Sequence, residues 1–268
     1  MQPSKQEVIG AVAAQRARTI ALVEPLTAAQ WDAPALPGWR VREVAGHLVA
    51  SDQGALTGRM LRVGMRPQPD GGLEAVEAWN EAEVHRWSDR PAAEIVEGLR
   101  TWGRRSVALF KATPATILRR TVPLPFGKVP LLFLGQIRVF DEWVHEQDIR
   151  RALQMDPGYD LPSLTAAARA LLAVMPLQTP VRMPADTKGT LSVRFDGIDV
   201  PPLFVDLLTK EFGFDGGNVD ATVTGTAPAL IFSAANRDAW RDHERGGTIR
   251  IDGDRAVGEA FLDAMRAG

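Results

Sequence analysis

The sequence contains no cysteine, and its 268 residues include only four histidines and one tyrosine. Without cysteine there is no disulfide framework, no Cys-based zinc ribbon, no iron–sulfur cluster and no cysteine nucleophile. Charge of one sign is not in excess either. Lys and Arg number 31 against 33 Asp and Glu, a formal net charge of −2, which argues against a general nucleic-acid binder with a basic face. No run of apolar residues approaches the roughly 20 needed to span a bilayer. The segment Met1 to Glu7 is polar and lacks the apolar stretch of a signal peptide. The expectation is a cytoplasmic protein without nucleic-acid or membrane partners. Nucleotide and hydrolase signatures are also missing. There is no Walker loop and no Gly-x-Ser-x-Gly elbow, and Gly213, Gly216 and Gly217 have the wrong spacing for a dinucleotide-binding turn.

What remains is an ordinary globular composition, 45% hydrophobic and 24% charged, long enough for one large domain or two small ones. The first half reads as helical. Ile9, Val12, Ala13, Ile20 and Val23 recur at helical spacing between Lys5 and Leu26. Thr27 and Gln30 have capping-box spacing, and Pro34 to Gly38 breaks the chain. Further helices are expected over Val41 to Arg62, Leu73 to Asp89, Pro91 to about Thr113, and Leu131 to Leu153. A loop is expected over Gly64 to Gly72, and a loop or short hairpin over Thr121 to Pro130. Long helices with short connections suggest an antiparallel bundle. After Gln154 the pattern changes. Met155 to Asp160 reads as a linker and Leu164 to Val174 as a helix. Alternation at Leu191–Phe195, Ala221–Thr224 and Thr248–Ile251 predicts strands, and Val257 to Met265 a closing helix.

Because histidine is scarce, its placement is informative. His47 lies within the second helix. His145 lies in the last helix of the first half, preceded by Asp141 and Glu142 at i−4 and i−3, so a carboxylate shares a helix face with the imidazole. Two readings follow from the spacing alone. Asp141 and His145 form an ordinary helix-surface pair and His47 a hydrogen-bonded core histidine. Alternatively, two ligands from one helix and a third from a neighbour form a metal site in a bundle core, suited by its nitrogen and oxygen donors to Zn²⁺, Ni²⁺ or Fe²⁺.

The residues around these histidines carry a resemblance. Leu36-Pro37-Gly38-Trp39-Arg40-Val41-Arg42-Glu43-Val44-Ala45-Gly46-His47-Leu48 resembles the N-terminal signature of the mycothiol-dependent maleylpyruvate isomerase family, one of the DinB-like metal-binding four-helix bundles. Arg138 through Arg151 is similar to the family's later helix, with an acid four residues before a histidine and an Asp three after it. Val223 to Ala227, Asn236-Arg237 and Ile249 to Asp254 are similar to its smaller C-terminal domain. The resemblance implies an α+β protein, with a DinB-like four-helix bundle over 1–154 and a small α/β domain over 160–268. It implies that His47, Asp141 and His145 are metal ligands, zinc being the first choice and nickel or iron alternatives. It also implies mycothiol or a similar thiol as cosubstrate.

One position departs from the family. The isomerases usually carry Glu where this chain has Asp141, and Glu142 could serve instead after a small rotation. Arg138, one turn before Asp141, could bind a substrate carboxylate or simply neutralise Asp141. Arg237 matches a family arginine and is a candidate for contacting the thiol or the substrate. Asp148 could orient His145 or pair at the surface with Arg151. Asn80 and His85 share a helix that could line the pocket, although His85 and His243 read as surface residues. Trp39 and Trp143 read as packing residues. The implied function is a thiol-dependent transferase or cis–trans isomerase acting on a small electrophile. The alternatives are a metal-dependent hydrolase, and a non-enzymatic protein holding an apolar ligand. A bound cation in such a site lowers the pKa of water or thiol, and with no cysteine in the chain the thiol must come from a diffusible molecule.

Overall fold

A computed structural model describes residues 3–59, 74–124 and 127–267. The chain divides into two compact units, one holding Pro3–Gly158 and the other Tyr159 onward.

The first unit is helical. Helix α1 (Lys5–Val23) starts at Ser4, whose hydroxyl accepts from the Glu7 amide while the Glu7 carboxylate accepts from the Ser4 amide, so two unpaired donors are satisfied at once. Thr27 and Gln30 build the same device ahead of the single-turn α2 (Ala28–Trp31). The break at Pro34–Gly38 becomes a small antiparallel ribbon of β1 (Pro34–Leu36) and β2 (Trp39–Arg40). Helix α3 (Val41–Leu56) follows at once, with Glu43 reaching back to the Arg40 amide at 2.7 Å. It stops short of the expected Arg62. Thr57 is the C-cap and Gly58 takes the left-handed conformation (φ 65°) that ends helices; residues 60–62 and the expected 64–72 loop lie outside the described residues.

Next come α4 (Glu74–Ser88), α5 (Ala92–Ala112), α6 (Ala115–Leu118), the hairpin of β3 (Thr121–Leu124) and β4 (Gly127–Pro130), and α7 (Leu131–Ala152). Helices α1, α3, α5 and α7 form the bundle, and α4 packs on α3. Val41, Val44, Ala45, Leu48 and Val49 of α3 meet Ile95, Val96 and Leu99 of α5 in the core. Helix α3 is buried nearly all round, which places anything polar on it out of bulk water.

The second unit begins with α8 (Leu161–Arg182), capped by the Asp160 carboxylate on the Ser163 amide at 2.8 Å. The helix runs well past the expected end at Val174 and through Pro176 and Pro180. An interior proline costs about 3 kcal/mol, but Ala167, Leu171, Leu172 and Met175 are buried along this helix, and each is worth part of the roughly 1.5–3 kcal/mol of a large buried apolar side chain. By length and composition α8 could cross a membrane, contrary to the expectation that no run in the chain comes close; here it packs against helices of its own unit. The sheet has five strands, β5 (Thr190–Asp196), β6 (Leu203–Asp206), β7 (Glu211–Gly213), β8 (Ala221–Thr226) and β9 (Ile249–Gly253), in the order β7-β6-β5-β8-β9. Only β5 and β8 are parallel, with Leu191 opposite Ala221 and Val193 opposite Val223. Helices α9 (Ala227–Ala234), α10 (Trp240–Arg245) and α11 (Arg255–Ala264) complete the unit. Strands β6 and β7 and helices α9 and α10 were not expected from the sequence.

Candidate metal centre

Helix α7 carries Arg138, Asp141, His145 and Asp148 in steps of three, four and three, which forms one polar stripe along its length. The stripe faces α3, where His47 points back. The two imidazole centroids lie 4.9 Å apart at 67°. Asp141 sits between them, with Oδ2 3.6 Å from His47 Nε2 and Oδ1 3.5 Å from His145 Nε2. One ligand atom from each of the three residues lies within 4.8 Å of the others.

These residues fit a divalent cation. With metal–ligand bonds of about 2.1 Å, the edge of a tetrahedron is about 3.4 Å, close to both observed N–O separations. The separations are too long for good hydrogen bonds. His47 is therefore a buried imidazole whose Nδ1 has no hydrogen-bond partner and whose Nε2 reaches only toward Asp141. A buried polar group left in that state is costly, and coordination would satisfy it. The donor set of two imidazoles and one carboxylate suits Zn²⁺ and its first-row neighbours.

Electrostatics favour the required protonation states. Burial pushes His47 below the ordinary imidazole value, against the pull of Asp141. Burial also works against a charge on Asp141, but the facing His47, Arg138 and His145 outweigh it and hold the carboxyl well below the ordinary carboxylate range. Arg138 is the permanent cation among these, since His47 is driven toward its neutral form. His145 Nδ1 lies 2.9 Å from Asp148 Oδ2, and Asp148 is buried. This contact keeps the proton on Nδ1 and leaves the Nε2 lone pair facing the site. Asp148 is thus a partner of His145 inside the bundle rather than a surface residue.

The site opens on one side. The Asp141 side chain is 27% exposed, against 6% for His47 and 9% for His145. Trp39, read from the sequence as a packing anchor, covers the histidines. Its ring centroid lies 5.4 Å from that of His47 and 6.3 Å from that of His145, and its Nε1 donates to Glu81 Oε2 at 3.3 Å. No spacing signal pointed to this.

Two expectations need correction. Glu142 is not an alternative ligand. It lies on the neighbouring stripe of α7 that faces α1, buried and held by Arg16 through Nε at 2.7 Å and Nη2 at 3.0 Å. Arg138 does not stand open for a substrate carboxylate. Its Nη1 donates to Asp141 Oδ2 at 2.7 Å and its Nε lies 3.2 Å from Asp52 Oδ1.

The remaining candidates divide. Asn80 is half-buried on α4, and His85 is exposed and 3.5 Å from Glu81. Trp143 is fully buried. Arg237 belongs to the second unit, where its Nη1 donates to the Ala235 carbonyl at 2.9 Å. His243 is half-buried rather than a surface bystander, 3.1 Å from Thr248 Oγ1 and 3.2 Å from Asp238 Oδ2.

Comparison with known proteins bears on the same region. The profile of the mycothiol maleylpyruvate isomerase N-terminal domain matches residues 12–150, which hold all three candidate ligands. The chain belongs to that family. Two solved structures share the fold: the mycothiol-dependent maleylpyruvate isomerase (TM-score 0.58, 16% identity, 94% of this chain and 95% of that one) and a histidine-to-alanine mutant of it (TM-score 0.58, 15% identity, 94% and 95%). A sterol carrier protein 2-like 2 from Aedes aegypti covers 36% of this chain and 86% of its own length at 20% identity, but its TM-score of 0.26 is too low to carry any argument. No curated protein matches the sequence significantly. The family is one of enzymes, named for an isomerase.

Proposed function

We propose that this member of the family is a metal- and thiol-dependent isomerase or S-transferase that uses mycothiol or a similar small thiol on a small anionic electrophile. The convergence of His47, Asp141 and His145 at ligand distances in the core of the family-matching unit carries this reading. His47 and His145 would hold a divalent cation, zinc in the first instance, through Nε2, and Asp141 would do so through its carboxylate. A cation held there would acidify a thiol and supply a sulfur nucleophile at neutral pH. Asp148 keeps the His145 proton on Nδ1, and Trp39 screens the imidazoles from water. The exposed side of Asp141 leaves an approach for the thiol and its partner.

Elemental analysis of the purified protein beside H47A and H145A tests the site. Stoichiometric metal in the wild type and its loss in both variants is expected; metal retained in both sinks the assignment. Maleylpyruvate turnover with and without mycothiol then tests the chemistry. Turnover that needs the thiol is expected, whereas thiol-independent hydrolysis would favour the hydrolase reading.

A further inference from the structure

The candidate ligand Asp141 is the half-exposed end of a longer chain of charges that runs into the bundle. Arg138 bonds Asp141 Oδ2 through Nη1 at 2.7 Å. Its Nε lies 3.2 Å from Asp52 Oδ1, an ion pair in which Nε makes no hydrogen bond, and its Nη2 reaches the Leu48 carbonyl at 3.5 Å. The other oxygen of Asp52 lies 2.9 Å from Arg16 Nη2. Arg16 in turn grips Glu142 and donates to the Leu99 carbonyl at 3.2 Å. The order Asp141, Arg138, Asp52, Arg16, Glu142 alternates in sign and links α7, α3 and α1. Asp52 and Arg16 are both buried. Room for Arg16 comes from Gly103 of α5, where a Cβ would lie 2.9 Å from Arg16 Cγ.

Resting on the metal-centre reading above, we propose that Asp52 is a positioning residue for the centre, acting through Arg138 on Asp141. An arginine on the third residue before a ligand has several rotamers open to it. Asp52 narrows that freedom through its charge, which draws the guanidinium toward α3, and Nη1 then meets one oxygen of Asp141. Oδ2 thereby carries the Arg138 bond, while Oδ1, on the His145 side, carries none from Arg138. Asp52 also sets the charge at the site. With Asp52 ionised, Arg138 is shared between two carboxylates, and Asp141 keeps more of its negative charge for a cation. Without it, Arg138 would rest on Asp141 alone and compete with the cation for that carboxylate. Aspartate at position 141 makes this more acute, since its short side chain cannot swing away from Arg138 as a longer acid could.

The test is zinc affinity of the full-length apoprotein, measured by competition with a chromophoric chelator, together with the thermal midpoint of the apoprotein. Asp52→Asn keeps the shape and removes the charge. It is expected to weaken zinc binding about 10- to 100-fold, as for other outer partners of metal ligands. Glu142→Gln is the control. It cuts the same buried network at the far end without touching Arg138, and is expected to lower the thermal midpoint while leaving zinc affinity within about threefold. Arg138→Lys keeps the charge but cannot span Asp52 and Asp141 together, and it is expected to show the Asp52→Asn defect. If Asp52→Asn does not fold, Arg138→Lys decides, because Arg138 is less buried. Wild-type affinity in Asp52→Asn, or in Arg138→Lys where that variant decides, overturns the role of Asp52 alone, as does an equal loss in Glu142→Gln. A wild-type protein that binds no stoichiometric zinc overturns the centre itself and the role of Asp52 with it.

Discussion

At the scale of single residues, the stripe on α7 assigns different tasks to its acids. Asp141 faces two imidazoles, whereas Asp148 faces only the far nitrogen of one of them, at 2.9 Å from His145 Nδ1. Asp148→Ala removes the acceptor that fixes the His145 tautomer, so the Nε2 lone pair is no longer held toward the site. Metal affinity is expected to fall about 10- to 100-fold. Asp148→Asn, whose amide oxygen can still accept from Nδ1–H, should fall between that and the wild type. Chelator competition on the three proteins checks the order, and equal affinities would remove Asp148 from the site. The candidate ligands came from the family resemblance, since the shared helix face of Asp141 and His145 and the scarcity of histidine also fitted a surface pair and a core histidine. Asp52, Arg16 and the true partner of Glu142 were not legible in the sequence. They meet from three separate helices, and no spacing within one segment records such a meeting. Trp39 was visible as a residue of the Gly-Trp entry but not as a ring lying over both histidines.

At the scale of elements, two local devices hold α3, the helix that presents His47. The first is its start. Glu43 accepts from the Arg40 amide at 2.7 Å and from its guanidinium at 2.6 Å. Burial opposes the charge on Glu43, but the contacts with Arg40 win and hold its pKa below the ordinary carboxylate value. A depressed folded pKa contributes stability above the unfolded pKa, and that stability is lost as pH falls through the folded value. Glu43→Gln should therefore destabilise by about 1 kcal/mol at neutral pH. The gap from wild type should close as pH is lowered below about 4, and denaturant melts at several pH values read this directly. The second device is the close approach of α4. A Cβ on Gly54 would meet the Trp79 ring at 2.4 Å. Gly54→Ala gains helix propensity of about 1 kcal/mol but forces the ring aside, which typically costs about 1–3 kcal/mol. The net expectation is a lower unfolding midpoint, and an unchanged or raised midpoint would show that Trp79 yields freely. Elements with clean periodicity, α1, α3, α5 and α7, were read from the sequence to within a few residues, apart from the early stop of α3. The failures have physical causes. The helix expected to end at Val174 runs on through Pro176 and Pro180, whose cost the burial of α8 offsets. The short β6 and β7, between Pro201-Pro202 and the glycines at 213, 216 and 217, present too little alternation to register.

At the scale of the whole molecule, the chain holds two cores but, among the described residues, one set of candidate ligands. Val44, Leu48, Ile95 and Leu99 belong to the core of the helical unit, and all three ligands lie in that unit. Leu171, Val193, Val223 and Phe261 are buried in the second unit. A ligand that binds only the folded state stabilises what it binds by RT ln(1 + [L]/Kd), about 2.7 kcal/mol at a hundredfold excess over Kd. For a unit of this size that corresponds to an upward shift of roughly 5–10 °C. Adding zinc to the apoprotein is thus expected to raise the unfolding transition of residues 3–158 by that amount. Hydrogen exchange should locate the gain in the amides of α3 and α7, which carry the ligands, and should leave the amides of β5 and β8 at their apoprotein rates. His47→Ala should abolish both effects without moving the apoprotein transition by a comparable amount, since His47 Nδ1 has no hydrogen-bond partner and Nε2 has only the long 3.6 Å contact with Asp141. Protection gained equally in β5 and β8, or a thermal shift that survives in His47→Ala, would place the zinc somewhere other than between α3 and α7.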